Sequence, residues 1–326
     1  MSDSIKTHVD NGIPNPKRRK GLRTYRLKDF LNERFPYTVR KMPLHSNLGC
    51  PHRDRHSETG GCIFCYEPGF SSTHFRQKNI SEQIESTLAY ARKKGYQGKF
   101  MAYFQTGTNT YAPSDVLESL WKPILEYPDQ IVAMAIGTRP DCISQATLEL
   151  LQEMSQHLLV WLELGLQSVH NDSLIRINRG HDYTCFENMV QSLRPIPNLF
   201  VCAHIILGLP GETKKDMLTT IERLNTLGID GVKIHHLQVP RHTVLETQYL
   251  NGEISIFTIA EYVDLITDLI PHLSGHMVIH RLTGEIRDDL LCAPRWPLAK
   301  VRVVQMIEEA LKKKKVYQGD YSKTIR

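Results

Sequence analysis

Cys50, Cys62 and Cys65 fall in one short segment, Cys50-Pro-His-Arg-Asp-Arg-His-Ser-Glu-Thr-Gly-Gly-Cys62-Ile-Phe-Cys65. Two cysteines separated by two residues can ligate one metal centre, and a third from the same segment makes three thiolates. A structural zinc needs four ligands and a closed shell, for which His52 or His56 inside the segment is the available fourth. A cubane iron–sulfur cluster on three protein thiolates leaves one iron open to a small molecule. Spacing alone leaves iron–sulfur, zinc and no metal as the readings. Cys142, Cys185, Cys202 and Cys292 are scattered and read as small buried hydrophobes.

Chemistry of this kind needs a scaffold that brings loops together. Short apolar runs at 42–48, 99–105, 131–137, 159–165, 200–207 and 231–237 read as strands covered on both faces. Between them lie helical patterns. Residues 81–94 put Ile84, Leu88 and Ala91 on one face and end at Gly95; residues 214–227 start from a Thr213 cap and end at Gly228. Residues 114–126 start at Ser114, and Pro123 should shorten or kink that helix. An apolar run at 276–282 and a helix at about 298–314 extend the same core. Repeated strand–helix alternation predicts an α/β fold with a parallel sheet. Barrel, partial barrel and open sheet all satisfy it, and each puts the site at the carboxyl ends of the strands. The cysteine segment follows the first strand and so falls at that end. His204, His235 and His236 lie on strands facing the site, where one can donate to a substrate or move a proton. A strand histidine is as readily a satisfied core residue. Arg139, after the third strand, is a candidate for a substrate or cofactor anion.

The 326 residues are 41% hydrophobic and 23% charged, the composition of a globular chain. No run is apolar enough to span a membrane, and the N-terminus carries charge where a signal peptide needs an apolar run. A cytoplasmic protein is expected, which favours metal binding over disulfides for its seven cysteines. Residues 1–20 read as a basic disordered arm. Residues 1–41 carry eleven Lys/Arg against four Asp/Glu and residues 311–326 six against one, on a chain of net charge +5, so the body between is acidic. Basic ends on an acidic body can grip a polyanion through phosphate contacts; otherwise they are solvated tails, and Lys312–Lys315 is a solvated helix face.

The segment and several later motifs resemble the radical S-adenosylmethionine (SAM) superfamily. Phe64 fills the aromatic position before the last cysteine. The first gap is eleven residues rather than the usual three, which is similar to the YhcC/YtqA-like subgroup, with His52 where asparagine is usual. Tyr103-Phe104-Gln105, Gly137-Thr138-Arg139-Pro140-Asp141, Trp161-Leu162-Glu163-Leu164-Gly165-Leu166-Gln167-Ser168, Ile177-Asn178-Arg179-Gly180-His181, Gly208-Leu209-Pro210-Gly211-Glu212 and Val232-Lys233-Ile234-His235 resemble subgroup motifs over roughly residues 20–318.

That resemblance implies a partial (β/α)6 TIM-like barrel: a core over 21–318 including a C-terminal extension, between the 1–20 arm and a 319–326 tail. It implies a [4Fe–4S] cluster on Cys50, Cys62 and Cys65 whose open iron binds SAM. Reductive cleavage then yields a 5′-deoxyadenosyl radical that abstracts a substrate hydrogen. Cofactor contacts are implied for Phe64, for Gln105, Thr106 and Gly107 (methionine amino group), for Glu163 as a strand-end carboxylate (ribose hydroxyls), for Arg179 (methionine carboxylate), and for Gly208 and Leu209 (adenine). The likeness extends to the Elongator catalytic subunit and to oxygen-independent coproporphyrinogen oxidase. It points to tRNA modification at a wobble uridine, with a one-electron donor such as flavodoxin or ferredoxin. The alternatives are a small-molecule substrate, or a zinc-stabilised binding protein without catalysis.

Overall fold

Alternation of apolar runs and capped helices produces a curled parallel sheet. In a computed structural model of the chain, the described residues are 22–54, 60–66, 78–105 and 107–322. In chain order the elements are α1 (Leu27–Arg34), β1 (Val39–Leu44), α2 (Pro51–Asp54), α3 (Ile80–Lys93), β2 (Lys99–Phe104), α4 (Ser114–Trp121), β3 (Ile131–Thr138), α5 (Gln145–Ser155) and β4 (Leu159–Gln167). There follow α6 (Asn171–Arg176), α7 (Tyr183–Leu193), β5 (Leu199–Leu207), α8 (Lys214–Thr226), β6 (Gly231–His236), β7 (Val239–Pro240), α9 (Val244–Leu250), α10 (Ile259–Leu269), β8 (Val278–Arg281), β9 (Leu291–Ala293) and α11 (Lys300–Lys314).

Seven strands run β1-β2-β3-β4-β5-β6-β8, every neighbouring pair parallel. The expected six-stranded partial barrel gains a seventh strand, because the apolar run at 276–282 pairs with β6. Helix starts follow local chemistry. Asn79 accepts from Glu82 N at 2.9 Å while Glu82 accepts from Asn79 N at 2.8 Å, and Thr213 with Asp216 makes the same reciprocal cap. Pro123 acts as expected: α4 stops at Trp121 and a 3-10 turn takes over at Lys122–Glu126.

One face of each strand packs on the helices, with Ala102, Met134, Leu162, Ala203 and Ile234 in the main core. The other face lines the hollow of the curl in layers. At the amino-terminal end of the strands α1 plugs the hollow, its Phe30 ring 5.0 Å from Trp161 and edge-on to it. Tyr25, Leu31, Met101, Ala133 and Cys202 complete this apolar plug. α1 touches both edge strands, β1 and β8, so it closes the gap an open curl leaves. Truncating Phe30 or Trp161 to alanine costs about 3–5 kcal/mol in such a setting.

Residues 1–21, and with them the expected basic arm, lie outside the described residues, as do 323–326. The last residue of the expected core and the start of the expected tail are both packed. Buried Gln318 donates to Ser274 O and Met277 O, both at 2.7 Å, and accepts from Tyr25 N at 2.8 Å. Tyr321 N then donates to Pro271 O at 2.9 Å.

Candidate active site

Above the plug, at the carboxyl ends of the strands, lies a cavity of about 250 Å³. Cys50, Cys62 and Cys65 line it together with Phe64, Gln105, Gly107, Arg139, Glu163, Arg179, His204 and His235. Three backbone bonds fix the cysteine segment: Cys65 N to Cys62 O at 2.9 Å, Ile63 N to Ile177 O at 3.1 Å, and Thr108 N to Gly49 O at 2.9 Å. Gly107 has φ +79°, and a Cβ there would lie 2.4 Å from Leu48 O, so only glycine lets the β2 loop pass against the cysteine segment. Thr106, expected beside it, lies outside the described residues.

Arg179 stands over the sulfurs. Its Nη1 donates to Cys62 Sγ at 3.6 Å and its Nη2 to Gly165 O at 2.6 Å, while its buried Nε has no partner among the described residues. Arg139 does not meet the expectation of an anion receptor. Its Nε and Nη2 fork onto Asp141 at 2.9 and 2.8 Å, and its Nη1 donates to Arg179 O at 3.0 Å. Asp141 neutralises it, and it buttresses Arg179.

Glu163 also departs from expectation. It sits inside β4, which runs on to Gln167, and its carboxylate is occupied. Lys233 Nζ donates to Oε2 at 2.5 Å and Tyr103 Oη to the same oxygen at 3.0 Å; His280 Nδ1 lies 3.1 Å from Oε1. Burial favours the protonated acid, but Lys233, Lys41 and His280 hold the carboxyl well below its ordinary value. Burial works against the Lys233 charge as well, and Glu163 and Tyr103 outweigh it, raising that ammonium above its ordinary value. Three of the carboxylate's roughly four lone-pair sites are thus filled from within the protein, which leaves little of it for ribose hydroxyls. This charged layer separates the apolar plug from the cavity.

Gly208 and Leu209 do not line the cavity. β5 ends at Leu207; Gly208 turns at φ +86° beneath Phe257, and Leu209 is buried in a side cluster with Leu237 and Leu245. His204 and His235 do face the cavity. Their rings meet edge to face at 4.1 Å, and neither Nε2 has a partner among the described residues. Burial pushes His204 down to about 3 and His235 well below its ordinary value, so both are neutral imidazoles. His236 also borders the cavity, and its ring stacks on Trp296 at 4.2 Å.

Two residues of the site carried no assigned role in the sequence. Gln167 sits at φ +78° where the β4–β5 register shifts, its buried Oε1 without a partner among the described residues; a left-handed non-glycine is invisible in a sequence. Lys233 had a legible signal: a lysine in an apolar strand demands a buried anion, and Glu163 is the carboxylate on another apolar strand, across β5.

The donor set fits a cluster better than a zinc ion. Among the described residues, the trio of ligand atoms within 4.8 Å of one another is Glu163, Cys202 and His280, not the three loop sulfurs. Zinc–sulfur bonds of about 2.3 Å would hold thiolates closer than that. Lys233 already occupies Glu163 in the other trio. His52, the alternative fourth ligand, has Nε2 2.7 Å from Asn178 O, and His56 lies outside the described residues. Burial, then the neighbouring Cys62, pushes the Cys65 thiol up to about 11, a crowding that a cationic centre relieves. Unpartnered Arg179 Nε, Gln167 Oε1, His204 Nε2 and His235 Nε2 around one cavity are the mark of a site built for a polar ligand.

Residues 48–224 match the radical SAM superfamily and residues 229–313 the radical SAM C-terminal domain. YtqA of Bacillus subtilis is 34% identical over 94% of this chain and 95% of its own. YhcC of Escherichia coli K12 is 36% identical over 82% of this chain and 85% of its own. The structure of the archaeal Methanocaldococcus infernus Elp3, with an N-terminal deletion, superposes with a TM-score of 0.66 at 17% identity. That overlap covers 86% of this chain and 64% of the Elp3 chain, and the likeness is one of fold. The matched C-terminal domain is no separate body here, since β6 and β8 continue the same sheet. Among the described residues no helix is long and apolar enough to cross a membrane. With three cysteines at the mouth of a curled parallel half-barrel, and YhcC and YtqA alike along most of their length, this chain belongs to the radical SAM superfamily, enzymes that work with a [4Fe–4S] cluster and SAM.

Proposed function

We propose that this enzyme modifies a nucleotide of RNA, with a wobble uridine of tRNA as the leading target. The observation that carries the reading is the charge of the cavity wall. Arg139, Lys233 and Arg281 on that wall are matched by Asp141, Glu163 and Glu285, so its excess of positive charge rests on Arg53 and Arg179, an excess that suits a polyanionic substrate. Exposed Lys312, Lys313 and Lys315 at the end of α11 add to it. The resemblance of the sequence to the Elongator catalytic subunit supports the same reading.

In this account Cys50, Cys62 and Cys65 hold the cluster, and Arg179 stabilises the negative charge on Cys62 while offering its Nε and Nη1 edge to a carboxylate. Gln105 and the Gly107 backbone border the same ligand, and Phe64 shields the cluster from water. The bound cluster and SAM supply one-electron cleavage and hydrogen-atom abstraction. The electron comes from a one-electron donor such as flavodoxin or ferredoxin. His204 and His235, neutral and unpartnered, receive polar groups of the substrate.

Mass spectrometry of nucleosides from bulk tRNA, with and without the gene, tests the substrate. A nucleoside that disappears with the gene and returns on complementation is expected; an unchanged nucleoside profile overturns the tRNA assignment. Gel shift of bulk tRNA should weaken steeply with salt.

A further inference from the structure

A second cavity of about 610 Å³ adjoins the first. His236, Gln238, Glu285 and Ile286 line both, and the stacked His236–Trp296 pair borders the second. Its far wall is the start of α11: Ala299, Lys300 and Val303. Ala299 is the N-cap, at φ −61° and ψ 144°; no side chain caps the helix and its first turn holds no acid. A helix of this length presents unsatisfied N–H groups and the positive end of its dipole there. A separate feature points to a ligand in the same cavity. Thr283 lines the cavity at 2% exposure, and its Oγ1 has no hydrogen-bond partner among the described residues. A buried hydroxyl left so destabilises the fold unless something fills its place.

The charges around the cavity leave an anion admissible. Glu285 is covered by Lys300 Nζ at 2.5 Å and by Arg281 Nη2 at 3.6 Å. Arg295 faces the cavity and donates to Leu291 O at 3.0 Å, with its charge uncompensated by that neutral carbonyl. Asp288 is the other acid on the wall, exposed to solvent.

We propose that this second cavity binds a phosphate group of the substrate at the amino end of α11. Thr283 Oγ1 and the free N–H groups of the first helical turn donate to it, Arg295 balances its charge, and the attached nucleoside enters the first cavity. No group assigned to the cluster or to SAM takes part. That the phosphate belongs to a nucleotide rests on the function proposed above; that the cavity takes a phosphate does not.

The test is calorimetric titration of the purified full chain with inorganic phosphate in a chloride buffer, then with uridine 5′-monophosphate and with uridine. Ala299→Asp places a carboxylate where it caps the helix from within. Phosphate affinity should fall about tenfold or more while the melting temperature holds or rises, a pair of outcomes that misfolding cannot produce. Arg295→Glu, at an exposed position, should weaken phosphate similarly. The monophosphate should bind more tightly than uridine. Absence of phosphate binding to the parent chain, or equal binding in Ala299→Asp, overturns the proposal. Phosphate binding that responds to both variants, together with an unchanged tRNA nucleoside profile, keeps the phosphate site and removes the tRNA reading.

Discussion

Lys233 Nζ lies 2.5 Å from Glu163 Oε2, on strands β6 and β4 with β5 between them, and both side chains are almost wholly buried. Tyr103 Oη bonds both partners, accepting from Lys233 at 2.6 Å and donating to Glu163 at 3.0 Å. The pair forms the floor of the cavity and the ceiling of the apolar plug. A desolvated charge is tolerated only while its partner is present.

Lys233→Met should therefore destabilise the fold by about 3–5 kcal/mol, because it strands Glu163 in a dry layer. The double variant Glu163→Gln with Lys233→Met should recover part of that loss, since no charge is left uncompensated. Denaturant melts of the parent, the two single variants and the double variant give the coupling directly. Additive losses would show that the pair is not coupled.

The neutral imidazoles give the fold an acid limit. Burial depresses His204 to about 3, His236 and His280 to about 4, and His235 well below its ordinary value. The unfolded chain takes up these protons near pH 6.5 and the folded chain does not. Their contribution is thus complete above pH 6.5 and shrinks as pH falls below it, by about 1.4 kcal/mol per pH unit for each histidine. Chemical denaturation between pH 7.5 and about 5 should show this slope, reduced in His204→Phe. A flat profile would contradict neutral burial.

Gly107→Ala should break metal loading without unfolding the barrel. A Cβ at φ +79° meets Leu48 O at 2.4 Å, and Thr108 N holds the neighbouring Gly49 O. The cysteine segment must then shift. Iron content after anaerobic reconstitution should drop severalfold, with far-ultraviolet circular dichroism unchanged. Full iron loading would show that the β2 loop does not set the cysteines.

Arg179→Lys keeps one charge but loses the fork that reaches Cys62 and Gly165 together. Weaker SAM binding, on the order of tenfold, with iron content retained, is the expected calorimetric result. Unaltered affinity would place Arg179 outside the cofactor site.

Much of this was legible before any coordinates. The strands were visible because both faces are covered and their residues run apolar, and the helices because Ile84, Leu88 and Ala91 share one face and Thr213 caps α8. The cysteine segment announced itself by spacing. The misreadings have one physical origin, which is that a sequence does not show what a side chain is already bonded to. Glu163 and Arg139 looked available and are paired with Lys233 and Asp141. Gly208 and Leu209 follow β5 as expected, but they do not line the cavity, and Leu209 packs in a side cluster. Gln167 needed a register shift to face the cavity. The seventh strand needed long-range pairing to β6, which a short apolar run does not reveal.

The central claim is that Cys50, Cys62 and Cys65 hold a four-iron cluster with one iron left to SAM. Mössbauer spectroscopy of anaerobically reconstituted, iron-57-labelled protein, recorded before and after addition of SAM, addresses it most directly. The account predicts four irons per chain, one of which changes its isomer shift when SAM is added, and loss of the cluster in Cys65→Ala. A spectrum that SAM leaves untouched, or a single metal ion with four protein ligands, would contradict it.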